Sequence, residues 1–224
     1  MTSEPTPIPT PIEDILATGP VLPVVVIDDP ADAVPLARAL VAGGVRAIEI
    51  TLRTQHALDA VRAIAAEVPD AIPGVGTVLT PADFDAAAAA GAKFAISPGA
   101  TPALMDAAWA STLPYVPAVQ TASELMNVMA AGFTVAKFFP AREAGGVAAL
   151  KAFAGPFPTM RFCPTGGVDA QSALSYLALA NVICVGGSWI APRDAIAAGD
   201  FGKIEQLARA ASALRAARPL RKAG

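Results

Sequence analysis

The chain has 224 residues, is 54% hydrophobic and 16% charged, and holds 18 Gly, 21 Pro and 2 Cys at a mean hydropathy of +0.51; this composition excludes a disordered chain, a disulfide scaffold and a charged tail protein. A formal net charge of -3 and a pI near 5.1 argue against a general nucleic-acid binder, because counterion release needs a dense array of Lys and Arg. The length suits one large domain, which buries roughly 70% or more of the surface its unfolded chain exposes and needs no staple or metal.

Residues 1–10, rich in Pro and Thr, read as a flexible tail. Thr10-Pro11-Ile12-Glu13 has the spacing of a capping box with proline at the first helical position, and a short helix to about Gly19 follows. From there short β-branched runs alternate with Ala/Leu-rich amphipathic segments. The apolar runs start near Val21, Val45, Ile72, Phe94, Tyr115, Val135, Arg161 and Val182. The intervening helices are expected at about Ala31–Ala42, Gln55–Glu67, Ala82–Ala90, Pro102–Ala110, Ala122–Ala131, Val147–Phe153, Ala170–Leu179 and Lys203–Ala216, with Gly43-Gly44, Gly91, Gly132 and Gly155 at helix stops. This rhythm predicts parallel βαβ units, and eight of them in this length predict a (β/α)8 TIM barrel with a short N-terminal helix. The barrel domain is expected over 11–217, followed by a C-terminal tail at 218–224. An open doubly wound sheet is the fallback, but no G-x-G-x-x-G opens a helix.

The charge-free stretch Ala170–Pro192 is long enough to span a bilayer. Gln171, Asn181, Gly186, Gly187 and Pro192 interrupt it, however, and a buried helix followed by a buried strand is the better reading. No membrane association is expected. The start lacks a basic n-region and an apolar h-region, so the expected location is the cytoplasm. Cys163 and Cys184 sit in apolar runs as small hydrophobes.

A barrel carries its site at the C-terminal ends of the strands. In Val45–Arg53, VRAIEITLR, period-2 alternation turns Ala47, Glu49, Thr51 and Arg53 inward and Ile48, Ile50 and Leu52 towards the helices. An inward carboxylate and an inward guanidinium form either a buried ion pair or part of a site. Of the five lysines, Lys137 alone lies inside a strand-like run, TVAKFFPA, with a face shared by Val135 and Phe139. An apolar wall and a nearby guanidinium both disfavour its charged form, which suits attack on a carbonyl; a snorkelling lysine is the plainer alternative. The seventh and eighth runs end in Thr165-Gly166-Gly167 and Gly186-Gly187-Ser188, whose open backbone N–H groups at the usual phosphate loops of a barrel favour phosphate binding. Gly76-Thr77 and Ser97-Pro98-Gly99 add small polar groups to the rim.

Metal chemistry is poorly provided for. His56 is the only histidine, and without a second one or a cysteine pair no usual zinc site is assembled. Met126 and Met129 read as core filler, and the basic C-terminal end as a solvated face. A lysine, a carboxylate, an arginine and a phosphate cradle around one mouth suggest imine chemistry. Lysine would condense with a ketone, arginine would hold an α-carboxylate and glutamate would move protons.

These residues resemble the 2-keto-3-deoxy-6-phosphogluconate aldolase family, which includes 4-hydroxy-2-oxoglutarate aldolase. The resemblance runs from about Ile12 to Ala211. It is carried by GPVLPVV at 19–25, EITLRT at 49–54, GTVL at 76–79, AISPG at 95–99, KFFPA at 137–141, RFCPTGG at 161–167 and GGSW at 186–189. It implies a class I lyase without metal or cofactor, a homotrimer in the cytoplasm. Its reaction would cleave phosphorylated 2-dehydro-3-deoxy-6-phosphogluconate to pyruvate and glyceraldehyde 3-phosphate, and also 4-hydroxy-2-oxoglutarate to pyruvate and glyoxylate. By this resemblance Lys137 is the Schiff-base lysine and Glu49 the general acid/base. Arg53 with Thr77 grips the carboxylate, Pro98 and Phe139 shape the pyruvyl pocket, and Thr165, Gly166, Gly167, Gly186, Gly187 and Ser188 line the phosphate end. Val75 and Ala118 depart from the family's usual Ala and Gly and are expected to trim the pocket. A phosphosugar epimerase or isomerase, and a non-catalytic phosphosugar binder, are the alternatives.

Overall fold

The structure is a computed structural model that describes residues 11–214. Each of the eight apolar runs contains strand: β1 (Val21–Val25), β2 (Ala47–Thr51), β3 (Ile72–Gly76), β4 (Ala95–Ile96), β5 and β6 (Tyr115–Val116 and Ala118–Val119), β7 (Val135–Phe138), β8 (Arg161–Pro164) and β9 (Val185–Gly187). All pairings are parallel. One curled six-stranded sheet has the order β5-β4-β3-β2-β1-β9, and a three-stranded sheet has the order β6-β7-β8. Pro117 separates β5 from β6, since it has no N–H to give the ladder, although its carbonyl still accepts from Lys137 N at 2.9 Å. Single parallel bridges, Phe162↔Val182 and Thr165↔Gly186, join the β8 run to the β9 run.

The helices are α1 (Pro11–Leu16), α2 (Ala33–Ala42), α3 (Ala57–Glu67), α4 (Pro81–Ala89), α5 (Pro102–Ala110), α6 (Ala122–Ala130), α7 (Gly146–Phe153), α8 (Ala170–Leu177), α9 (Arg193–Ala197) and α10 (Phe201–Ala213). Their starts carry local chemistry. Thr80, Thr121 and Asp169 close capping boxes with Asp83, Glu124 and Ser172, each satisfying N–H groups that a helix end leaves open. The expected Ala31 start is instead a 3-10 turn, Pro30–Asp32, capped by the Asp29 side chain. Helix α9 was not legible in the sequence, and α10 begins at Phe201 because Asp200 caps it through the N–H of Lys203. The expected end of that helix at Ala216, the capping residue Thr10 and both expected tails lie outside the described residues.

Strand alternation sorts the apolar side chains into two clusters. Ile48, Ile50, Val75, Ala136 and Phe138 face the helices and pack with Leu36, Leu40, Val61 and Ile64. Leu22, Ala47, Phe94, Ile96, Val116, Val135, Cys163 and Cys184 face inward, joined by Ile12 and Leu16 of α1. That short helix covers the strands' N-terminal ends, where Glu13 accepts from the Thr134 hydroxyl at 3.3 Å. Helix α10 lies so close to α2 that a Cβ at Gly43 would sit 2.4 Å from Ala208 Cβ, a distance only a glycine permits.

Two expectations need correction. Met126 is not core filler: it is 61% exposed, while Met129 packs against the core. Val75 points into the layer between strands and helices, so it does not trim an interior pocket. Gly155 does mark the stop of α7, directly after its cap Ala154, but without the left-handed backbone that Gly44, Gly91 and Gly132 adopt after theirs. The stretch Ala170–Pro192 is a helix, α8, followed by a strand, β9. Among the described residues no helix is long and apolar enough to cross a membrane.

Candidate active site

The inward pattern of VRAIEITLR is realised on β2. Ala47 joins the inner cluster, Thr51 donates its hydroxyl to Val25 O at 2.9 Å, and Glu49 is buried at 1% exposure. On β7, Val135 turns inward and Ala136 and Phe138 outward, so Lys137 also projects inward, with 4% exposure. The two side chains meet: Lys137 Nζ lies 3.2 Å from Glu49 Oε1. Glu49 Oε2 is buried and has no partner among the described residues. An orphaned carboxylate oxygen is costly in a folded interior unless something outside the chain uses it. Room for the carboxylate comes from Gly76, where a Cβ would stand 2.1 Å from Glu49 Oε1. The amine of Lys137 also lies 5.2 Å from the centroid of the Phe139 ring.

Arg53 continues the same face one step past β2 and is exposed. Its Nε donates to Thr77 Oγ1 at 3.2 Å. Thr77 has φ +62°, the only non-glycine left-handed residue among those described, a strained conformation that turns its hydroxyl-bearing loop at the end of β3.

Lys137, Arg53 and Phe139 open onto a cavity of about 560 Å³ whose wall also includes Thr165, Gly166, Gly167, Gly186, Gly187 and Ser188. Nine of the twelve expected site residues therefore share one wall. Glu49 and Thr77 stand behind it, reaching the cavity through Lys137 and Arg53. Pro98 is not on the wall. It sits in a half-buried loop tied by the Ser97 hydroxyl, which contacts Gly99 O and, at 2.5 Å, the Tyr115 hydroxyl. Burial pushes the Tyr115 phenol up to about 12, with the Ser97 hydrogen bond opposing the rise. Ala118 is in register with Lys137 on the neighbouring strand but does not line the cavity.

The two glycine doublets have different reasons. Gly166 and Gly167 both have positive φ, 98° and 66°, and their N–H groups donate to no protein acceptor among the described residues. Successive open amides of this kind form a concavity suited to an anion. Gly186 and Gly187 are close-approach positions: a Cβ would meet Thr165 Oγ1 at 2.2 Å in one case and the Trp189 ring at 1.7 Å in the other. Sequence reasoning missed Trp189, Pro192 and Arg193, which also line the cavity. Arg193 did leave a signal, as the charge that ends the stretch Ala170–Pro192. Chemically, the wall offers a primary amine with a carboxylate at its back, a guanidinium and an amide-lined anion concavity. Those are the parts needed to form an imine with a keto acid and hold its far end.

Comparison with known proteins agrees with this chemistry. The sequence model of the KDPG and KHG aldolases matches residues 12–207. The KHG/KDPG aldolase of Escherichia coli (strain K12) is 55% identical over 202 residues, covering 90% of this chain and 95% of that one. Among solved structures, the KDPG aldolase of Legionella pneumophila, with pyruvate captured at low pH as a covalent carbinolamine intermediate, is 47% identical at a TM-score of 0.88, covering 89% of this chain and 97% of that chain. The 2-keto-3-deoxy-6-phosphogluconate aldolase of Zymomonas mobilis ZM4 with 3-phosphoglycerate is 43% identical at a TM-score of 0.88, covering 95% and 99%. The protein belongs to the KDPG and KHG aldolase family.

Proposed function

We propose that the chain is a class I aldehyde-lyase that cleaves 2-dehydro-3-deoxy-6-phosphogluconate to pyruvate and glyceraldehyde 3-phosphate, and 4-hydroxy-2-oxoglutarate to pyruvate and glyoxylate. The observation that carries this reading is the buried Lys137–Glu49 pair, 3.2 Å apart, beneath the cavity. Lys137 passes a proton to Glu49 and its amine adds to the C2 ketone; Glu49 returns that proton to the departing carbinolamine hydroxyl, so that water leaves and a cationic imine remains. Glu49 takes the C4 hydroxyl proton, directly or through a water held by its unpartnered Oε2. The C3–C4 electron pair flows into the imine as the aldehyde leaves. The resulting enamine is protonated at C3, and hydrolysis returns Lys137 and releases pyruvate. Arg53, steadied by Thr77, pairs with the C1 carboxylate, and Phe139 bounds the pyruvyl part. The amides of Gly166 and Gly167, with Thr165, Gly186, Gly187 and Ser188, receive the phosphate.

Residues 11–217 form one catalytic domain in this reading. The β5–β6 run and the two β8–β9 bridges support closure into an eight-stranded (β/α)8 barrel. A homotrimer in the cytoplasm is part of this reading, and the exposed Met126 suits a covered subunit face. Family membership and the buried pair favour this reading over a phosphosugar epimerase and over a non-catalytic binder. Borohydride reduction with pyruvate, followed by peptide mass spectrometry, should find the adduct on Lys137. An active enzyme with no adduct there would refute the mechanism.

A further inference from the structure

The cavity wall carries three charged side chains, Arg53, Lys137 and Arg193. Thr77 holds the first and Glu49 the second. Arg193, which follows β9, is held by an aspartate that follows the adjacent parallel strand β1. Its Nε lies 3.1 Å from Asp28 Oδ2, and its Nη2 lies 2.6 Å from both carboxylate oxygens. Arg193 also lines a second recess of about 250 Å³, shared with Asp28, Asp29 and Asp32. The carboxyl of Asp32 is raised above the usual range, by burial first and then by the charge of Asp29. Among the described residues these aspartates do not form a metal-holding group. They put negative charge in the recess that Arg193 shares with the cavity, on a chain whose net charge is already -3.

That charge is a difficulty for the reaction proposed above, on which this inference rests. A substrate phosphoryl group brings about -1.5 to -2 charge at neutral pH, and the Gly166-Gly167 and Gly186-Gly187-Ser188 loops answer it with dipoles alone. We infer that Arg193 is the side-chain cation that selects phosphorylated over unphosphorylated substrate, and that Asp28 is its resting partner, exchanged for the phosphate when substrate enters. Both partners are mostly exposed, at 65% and 59%. Exposed pairs of this kind hold weakly, and a dianion is the stronger partner for the same guanidinium fork. Arg193 lines both the cavity and the aspartate recess, so its loss would leave a dianion in the cavity open to the aspartates' repulsion.

The test compares kcat/KM for 2-dehydro-3-deoxy-6-phosphogluconate and for 4-hydroxy-2-oxoglutarate in three proteins. In Arg193→Ala the ratio of phosphorylated to unphosphorylated should fall about tenfold or more, mainly through KM, and in Asp28→Asn it should rise by about two- to fivefold. Both shifts should shrink at high salt. Titration with inorganic phosphate, followed by calorimetry, reads the same site without turnover: Arg193→Ala should weaken it and Asp28→Asn tighten it. Equal losses on both substrates, or phosphate affinity unmoved by Arg193→Ala, would overturn the inference. So would a ratio that falls in Asp28→Asn. A wild-type protein inactive on both substrates would defeat the aldolase reading instead, and the phosphate titration would still decide this one.

Discussion

Gly76→Ala puts a single methyl group against the proposed acid/base. The added Cβ would lie 2.1 Å from Glu49 Oε1 and 2.7 Å from both its Cδ and its Cγ, whereas ordinary contact begins at 3.4 Å. The difference, 3.4 less 2.1, is 1.3 Å, and the nearest yielding group is the carboxylate itself. It is hemmed in by Lys137 at 3.2 Å, so the strain moves Glu49 off the amine. A displacement of this order costs about 100-fold in rate when it misplaces a reacting group. Overpacking of the interior adds about 1–3 kcal/mol of destabilisation, or a Tm lowered by about 3–10 °C in a chain this size. Gly76 has no left-handed φ, so the effect is steric and not conformational. Pyruvate release measured by a coupled assay should show kcat down about 100-fold while circular dichroism still reports a folded protein. A folded Gly76→Ala protein with wild-type kcat would refute the assignment of Glu49 to the proton transfers.

Lys137→Arg keeps a cation beside Glu49 but cannot form an imine, so turnover and the borohydride-trapped pyruvate adduct should both vanish; near-normal turnover would favour an epimerase-like use of the cation. Gly187→Ala would set a Cβ 1.7 Å from the Trp189 ring; the ring must leave, shifting tryptophan emission and costing about 1–3 kcal/mol, and unchanged emission would contradict the packing described. Burial raises Tyr115 to about 12 from its ordinary value near 10, so the folded state keeps the phenol proton longer than the unfolded chain. The stability this contributes is complete below about pH 10 and is lost as pH rises towards 12, about 3 kcal/mol in all. Tyr176, also raised by burial, acts in the same direction. Denaturant unfolding between pH 9 and 12 should show a shallower alkaline decline in Tyr115→Phe, and parallel declines would count against the buried phenol.

Much of the site was legible because strand alternation is local. In VRAIEITLR a period of two assigns each side chain a face before any partner is known, and the structure divides Ala47 and Glu49 from Ile48 and Ile50 along that line. The same rule turned Lys137 inward. Capping residues and turn glycines marked most helix ends to within two residues, because those signals also act over a few residues. Helix α9 escaped because five residues, Arg193–Ala197, are too few for a 3.6-residue period to repeat. Met126 was misread for a related reason: a helical period tells which residues share a face, and the neighbour facing it is a tertiary fact.

Taken alone, the sequence determined the succession of eight strand–helix units, the inward direction of Glu49, Arg53 and Lys137, and the glycine-rich ends of the last two strands. The tertiary structure alone decided which of these groups touch. Lys137 meets Glu49 across 88 residues, and Arg193 meets Asp28 across 165. Sheet order and register bring such groups together, and both arise from the packing of the whole chain. Periodicity assigns a side chain to a face of its own element, whereas a contact needs two elements at a definite stagger, which no single segment encodes.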